Sequence, residues 1–176
     1  MTVKILFGVI FLWPILAIGQ DYKRSEFGWG WADNDKDCQN TRHEILIERS
    51  LIPVSFKTHK RCRVASGQWV SLYTSDKLFH SKAVDIDHLV SLKWAWDRGA
   101  KHWPKAKRIA FANDPDNLLI VEKSLNRSKG TKDITEWLPQ KNQCVVIRRF
   151  VKIVDKYALT VNLRKQKKIL QLTDSC

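Results

Sequence analysis

An apolar stretch at the start of the chain determines the environment in which everything after it must fold. Lys4 precedes fourteen uncharged residues, Ile5 to Ile18, and a run of this length is too short to span a bilayer comfortably. Ala17 and Gly19 place small side chains at the −3 and −1 positions of a cleavage site. We therefore predict a secretory signal peptide over residues 1–19 and a mature chain that is secreted or periplasmic. The alternative is an uncleaved membrane anchor.

The four cysteines fit an exported protein, because thiols oxidise outside the cytosol. No two of them are spaced as Cys-x-x-Cys, so the sequence contains neither a zinc knuckle nor a thioredoxin-like redox motif. Two disulfides can be paired in three ways. We favour Cys38–Cys62 and Cys144–Cys176, because each pair closes a short segment and the second ties down the carboxyl terminus.

The charge of the chain points to a polyanionic partner. Its 176 residues include 31 Lys or Arg against 18 Asp or Glu, a formal net charge of +13. Nucleic acid and an anionic membrane surface are both compatible with this excess, as is a protein that is merely basic. The length suits one domain over residues 20–176. We expect this domain to be a monomer with no membrane span.

Much of the positive charge lies near the end of the chain. Residues 145–176 carry eight Lys or Arg against Asp155 and Asp174, and their apolar residues recur at helical spacing. This basic helical segment is either a solvated helix face or a patch that binds phosphates without reading sequence.

The remaining patterns mix helices and strands, which predicts an α+β fold. Thr41 to Glu44 has the form of a capping box and predicts a helix over about 41–50. A turn at Ser66-Gly67 predicts a small hairpin in the N-terminal half. Val84 to Val90 alternates apolar and polar residues, as a half-buried strand does. A short buried strand over 118–121 and a helix over 124–129 follow it.

Polar residues of complementary chemistry collect on these last elements. Asp85, Asp87 and His88 lie on the first strand, Asn117 precedes the second, and Asn126 lies in the helix. Carboxylate and amide oxygens suit Mg²⁺, and a neutral imidazole beside such an ion can take a proton from water. Together these groups are the parts needed to hydrolyse a phosphodiester. Strand alternation, however, places Asp87 and His88 on opposite faces of the strand.

Three motifs in this unit resemble those of the HNH nucleases of the His-Me finger, or ββα-metal, superfamily. They are Val84-Asp85-Ile86-Asp87-His88-Leu89-Val90, Asp116-Asn117-Leu118-Leu119 and Asn126-Arg127-Ser128-Lys129-Gly130. The similarity is greater still to small secreted bacterial HNH-family proteins and covers about residues 29–144. Those proteins share further motifs with this chain, here Cys62 to Trp69, Phe111 to Asp114 and Trp137-Leu138-Pro139.

The resemblance implies a ββα-metal core with additional helices, and it implies a role for each polar residue. His88 would be the general base, and Asn117 would fix the adjoining loop and help to orient His88. Asp87 and Asn126 would hold one divalent metal, Mg²⁺ or Mn²⁺, with Asp85 as a candidate supporting or alternative ligand. Because Asp87 and His88 must both approach the metal, the strand should end or twist there. The candidate phosphate contacts are Arg127, Lys129 and Lys132.

The sequence therefore predicts a secreted metal-dependent endonuclease that cuts DNA, with cleavage of RNA left open. No module that would read base edges is evident, so little sequence preference is expected. A non-catalytic exported DNA-binding module on the same scaffold is the alternative, and a basic membrane-active toxin is a third reading. The intact set of Asp87, His88 and Asn126 favours the enzyme.

Overall fold

The computed structural model describes residues 21–176 as two small sheets surrounded by helices, which confirms the α+β class. The helices are α1 (Thr41–Glu48), α2 (Leu92–Trp96), α3 (Lys105–Ala112), α4 (Lys123–Lys129), α5 (Gln143–Lys156) and α6 (Leu163–Asp174). The strands are β1 (Ser55–Phe56), β2 (Val64–Val70), β3 (Lys77–His80), β4 (Val84–His88) and β5 (Leu118–Glu122). The predicted signal peptide lies outside the described residues. Over the described part of the chain, no helix is both long and apolar enough to cross a membrane.

The predicted unit of two strands and a helix is formed by β4, β5 and α4. β4 and β5 pair antiparallel, with Asp85 opposite Val121 and His88 opposite Leu118. α4 follows β5 directly and packs against both strands. The connection is short, so the helix returns over β4 and brings Asn126 to that strand.

β5 is buried on both faces, which explains its continuous apolar sequence. Leu118 and Ile120 pack into a core shared with α1 and β2. Leu119 and Val121 point the other way, into a larger core built mainly by α2, α3 and α5. The β4–β5 pair thus lies between two cores, and its polar residues are those of β4 and Glu122 at the end of β5.

The predicted turn at Ser66-Gly67 is wrong, because both residues lie inside the uninterrupted strand β2. β2 is the central strand of an antiparallel sheet with β1 and β3, so three strands replace the predicted hairpin. A Cβ atom on Gly67 would lie 2.7 Å from both the Ser50 hydroxyl and the Trp69 indole. Glycine is needed at this position for close packing and not for a change of chain direction.

The disulfides join Cys38 to Cys62 and Cys144 to Cys176, the two pairs favoured from the spacing. The first links the loops that precede α1 and β2, and the second links the first turn of α5 to the carboxyl terminus. α1 begins at Thr41 as predicted, but its cap is Asn40 rather than Thr41, because the Asn40 side chain accepts the hydrogen bond from the backbone N–H of His43.

Candidate active site

β4 ends at His88, as the resemblance required, and one buried side chain fixes the backbone that follows. Asn117 Oδ1 accepts the Val90 N–H at 2.8 Å, and Asn117 Nδ2 donates to the Val90 carbonyl at 3.0 Å. The backbone carbonyl of Asn117 accepts the Leu89 N–H. The Asn117 amide therefore continues the pairing of the two strands for one more step. Asn117 positions the loop after His88 through Val90 and Leu89, whereas the His88 ring is held by other residues.

Two arginines hold the turn that presents Asn117. Arg49, at the end of α1, and Arg149, in α5, both donate to the carbonyls of Pro115 and Leu118. A short turn leaves such carbonyls without partners, and the planar guanidinium can satisfy several at once. These two positive charges therefore stabilise the fold of the site and are not free for a substrate.

The imidazole of His88 is buried and held in one orientation. Its Nε2 lies 2.8 Å from the Ala112 carbonyl. A carbonyl only accepts, so Nε2 carries the proton and Nδ1 keeps a free lone pair. Burial lowers the pKa of His88 to about 3, against the opposing effect of the Ala112 hydrogen bond, so the ring is neutral at physiological pH. The indole of Trp31 stacks on the imidazole, with the ring planes 3° apart.

The segment that carries Trp31 is tied to the same turn that holds His88. The Ala32 N–H donates to the Asn113 side chain at 2.9 Å, one residue beyond Ala112. The Ala32 carbonyl in turn accepts both the backbone N–H and the hydroxyl of Thr41. The residues before α1 therefore form one wall of the site.

Asp87, on the opposite face of β4, lies in a buried polar network. Its Oδ1 accepts from Lys129 Nζ at 3.0 Å, and its Oδ2 accepts from the Tyr73 hydroxyl at 2.5 Å. Lys129 also donates to the His88 carbonyl and is only 2% exposed. The predicted phosphate contact by Lys129 is therefore wrong: α4 turns this side chain inward, where it neutralises Asp87.

The amide of Asn126 is oriented by Asp85. Asn126 Nδ2 donates to Asp85 Oδ2 at 3.1 Å, and no described side chain donates to Asn126 Oδ1. A carboxylate offers about four acceptor positions, of which Asp87 uses two. Asp87 and Asn126 therefore retain free oxygen acceptors of the kind that hard divalent cations prefer. This donor set fits the metal that the resemblance implied.

Asp87, His88 and Asn126 line one cleft of about 170 Å³. The other lining residues include Tyr22, Arg24, Ser91, Leu92, Gly130 and Thr131. Arg24 is exposed at this cleft, and Arg127 and Lys132 are exposed on and just after α4. The structure thus leaves two of the three predicted phosphate contacts accessible and adds Arg24.

Much of the basic C-terminal segment is engaged within the fold. Lys156 pairs with Asp114 and Asp116, and Lys165 pairs with Asp133. Within residues 21–176, three exposed cations of α6 have no hydrogen bond or ion pair to another side chain: Arg164, Lys167 and Lys168. The accessible patch is therefore smaller than the sequence suggested.

A strand that ends in Asp-His, a turn with a buried Asn and a helix with a second Asn are the arrangement of the HNH-like nuclease family. The family model for the C-terminal domain of GmrSD restriction endonucleases matches residues 37–172, and the chain belongs to this family. The chain is also 30% identical to an uncharacterized secreted protein of Arthroderma benhamiae over 159 residues. That match covers 88% of this chain and 76% of that protein. No solved structure matches the chain.

Sequence reasoning missed the site residues that lie outside the three motifs. Trp31 and Arg24 come from the segment before α1, and Tyr73 comes from the loop after β2. The aromatic stretch from Phe27 to Trp31 was the available signal for the first two. Nothing in its spacing indicated that Trp31 contacts His88.

Proposed function

We propose that the mature protein is a secreted, metal-dependent endonuclease that hydrolyses the phosphodiester bonds of DNA with little sequence preference. The observation that carries the proposal is the hydrogen bond from His88 Nε2 to the Ala112 carbonyl. It leaves Nδ1 with a free lone pair on a neutral ring, and His88 lines the same cleft as Asp87 and Asn126. Membership of a nuclease family supports the activity. The two disulfides and the similarity to a secreted protein support export.

His88 is the general base in this mechanism. Nδ1 removes a proton from the water molecule that attacks the phosphorus atom, the bond from phosphorus to the leaving sugar oxygen breaks, and that oxygen takes a proton from solvent. The Ala112 carbonyl lies at the carboxyl end of α3, where the helix dipole stabilises the imidazolium that forms. The Ala112 carbonyl and the stacked Trp31 indole orient the ring before proton transfer begins, and Asn117 holds the backbone that follows it.

Asp87 and Asn126 would hold the divalent metal, Mg²⁺ or Mn²⁺, through a carboxylate oxygen and the amide Oδ1. A bound metal would supply positive charge next to the phosphate oxygens as their negative charge increases. The Asp85 carboxylate accepts from Asn126 Nδ2, so the amide oxygen of Asn126 points away from Asp85. Lys129 offsets part of the negative charge that Asp87 would otherwise carry alone in a buried site.

The substrate is held through its phosphates. Arg24 at the cleft, together with Arg127 and Lys132 beside it, can contact consecutive phosphates of one strand. Such contacts carry no sequence information, which agrees with an enzyme that cuts at many sites. The exposed cations of α6 would add affinity that falls as salt is increased.

A plasmid-nicking assay on the exported protein tests the proposal. The parent should nick supercoiled DNA with Mg²⁺ or Mn²⁺ and lose activity in excess chelator. His88→Ala should lose about 10²–10⁴-fold in rate, while its DNA affinity stays near that of the parent. His102→Ala, which removes an exposed histidine away from the cleft, is the matched control and should cut normally.

The assay also separates the enzyme from the alternative. Parent protein that binds DNA but never nicks it would indicate a non-catalytic binding module. Full activity in chelator would exclude a metal held by Asp87 and Asn126. A folded His88→Ala variant that cuts at the parent's rate would contradict the assignment of His88 as the base.

A further inference from the structure

Trp29 is the most exposed large apolar side chain in the described part of the molecule, at 92%. It lies between Gly28 and Gly30, which have φ values of +107° and +132°. Only glycine adopts this conformation without strain. The backbone thus turns on both sides of Trp29, while Phe27 before it and Trp31 after it pack inward.

Both neighbours of Trp29 in the chain line a small cavity beside His88. Gly28, Gly30 and Trp31 line this cavity together with Arg24 and His88. Trp31 is stacked on the His88 ring, and Trp29 is only two residues away in a segment anchored through Ala32. A strand bound at His88 that extends along this segment would therefore reach Trp29.

The charge around this indole matches a nucleic-acid strand. Lys23 and Arg24 are both exposed, in the same short segment as Trp29. Arg24 also borders both the cleft and the small cavity. Proteins usually bind a single strand through positive charges along the nucleic-acid backbone and aromatic side chains that stack on its bases.

We propose that Trp29 stacks on an unpaired base of the bound nucleic acid, one or two nucleotides from the bond that is cut. The proposal rests on the proposed nuclease function and specifies its substrate. Inside a duplex both faces of each base are covered by neighbouring bases, so the indole has no face to contact. Single-stranded or frayed segments should therefore be preferred over intact duplex.

Binding measurements with the His88→Ala variant test this without cleavage. The probe is a labelled single-stranded oligonucleotide, compared with an oligonucleotide of the same length that is abasic throughout. Because base stacking on an aromatic side chain contributes roughly 5- to 100-fold in affinity, Trp29→Ala should lose that factor on the normal strand. On the abasic strand, which has the same phosphates, the loss should be less than about twofold, since no base remains to stack. Trp29→Tyr should restore much of the affinity.

Phe79→Ala is the matched control, because it removes another exposed aromatic side chain, on β3 and away from the cleft. It should leave both affinities unchanged. Equal losses on normal and abasic strands, or no loss from Trp29→Ala, would overturn the proposal. Nicking by the parent with unchanged binding by Trp29→Ala would reject the stacking site alone. Trp29-dependent binding without any nicking by the parent would reject the nuclease function alone.

Discussion

The indole ring of Trp31 lies parallel to the imidazole of His88, with 5.2 Å between the ring centroids and 3° between the planes. The Ala112 carbonyl holds the same imidazole through Nε2. The hydrogen bond fixes the direction of the ring edge, and the stacked indole limits rotation of the ring plane. Trp31 is thus a positioning residue for the proposed base.

Trp31→Ala should lower kcat about 10- to 100-fold, since a small misplacement of a reacting group has effects of this size. KM should change little, because Trp31 is not proposed to contact the substrate. Trp31→Phe keeps a planar ring against His88 and should recover most of kcat. Steady-state kinetics on a single-stranded substrate give both parameters.

The same experiment distinguishes the two tryptophans of this segment. Trp29→Ala should weaken binding and raise KM, whereas Trp31→Ala should act on kcat. A Trp31→Ala variant that loses affinity and keeps kcat would show that this side chain contacts the nucleic acid and does not position His88.

The hydrogen bond between Asn126 and Asp85 gives a prediction for the metal. Side chains that orient a metal ligand typically contribute about 10- to 100-fold in metal affinity. Asp85→Ala should therefore raise the Mg²⁺ concentration for half-maximal cleavage by about 10- to 100-fold. At saturating Mg²⁺ its rate should approach that of the parent.

Titration of Mn²⁺ into the His88→Ala protein, with and without Asp85→Ala, measures the metal affinity independently of cleavage. The control is Asp97→Ala, which removes an exposed carboxylate paired with Lys93. Equal metal affinities with and without Asp85 would mean that this carboxylate does not orient Asn126 toward a metal.

The sequence was sufficient to predict the part of the site that is built from neighbouring residues. Alternation from Val84 to His88 predicts a strand with one buried face, and the short apolar run after Asn117 is consistent with a strand that is buried on both faces. The helix that carries Asn126 follows without a linker. Local patterns of this kind therefore placed β4, β5 and α4 close to their observed bounds.

Contacts between distant segments could not be predicted in the same way. Lys129 was predicted to contact phosphate because it lies in the motif that also carries Asn126. Its inward orientation depends on where Asp87 and Tyr73 lie after folding. Gly67 was interpreted as a turn because the sequence does not reveal that Trp69 packs over its backbone.

The buried pair of Lys129 and Asp87 predicts a large loss of stability on substitution. Lys129→Met removes the ammonium and leaves a carboxylate with no counter-charge, which typically lowers the free energy of unfolding by about 3–5 kcal/mol. Denaturant unfolding followed by circular dichroism measures this. Asp87→Asn in the Lys129→Met protein should restore part of the loss, because it removes the uncompensated charge.

Lys132→Met is the matched control, since Lys132 is an exposed lysine three residues further along. It should change the unfolding free energy by less than about 0.5 kcal/mol. If Lys129→Met is as stable as Lys132→Met, the buried charges are not coupled as the distances imply.

Asp133 gives a prediction for the dependence of stability on pH. Its carboxylate is buried and accepts hydrogen bonds from Trp94, Thr135 and Lys165. Burial alone would raise the pKa of Asp133, but these hydrogen bonds outweigh it and hold the pKa below its ordinary value. Lys165 belongs to α6, so the ionised carboxylate fastens that helix to the rest of the domain.

Because the pKa of Asp133 is lower in the folded chain than in the unfolded chain, the ionised carboxylate stabilises the fold at pH values above the unfolded pKa of about 3.9. This contribution is lost as the pH falls below that value toward the folded pKa. Asp133→Asn should therefore be less stable than the parent by about 1.5–3 kcal/mol at pH 7, and the difference should shrink between pH 4 and pH 3. Urea unfolding of both proteins across this range measures it, with the exposed Asp97→Asn as control. A difference that is the same at pH 3 as at pH 7 would show that the charge of Asp133 does not hold α6 in place.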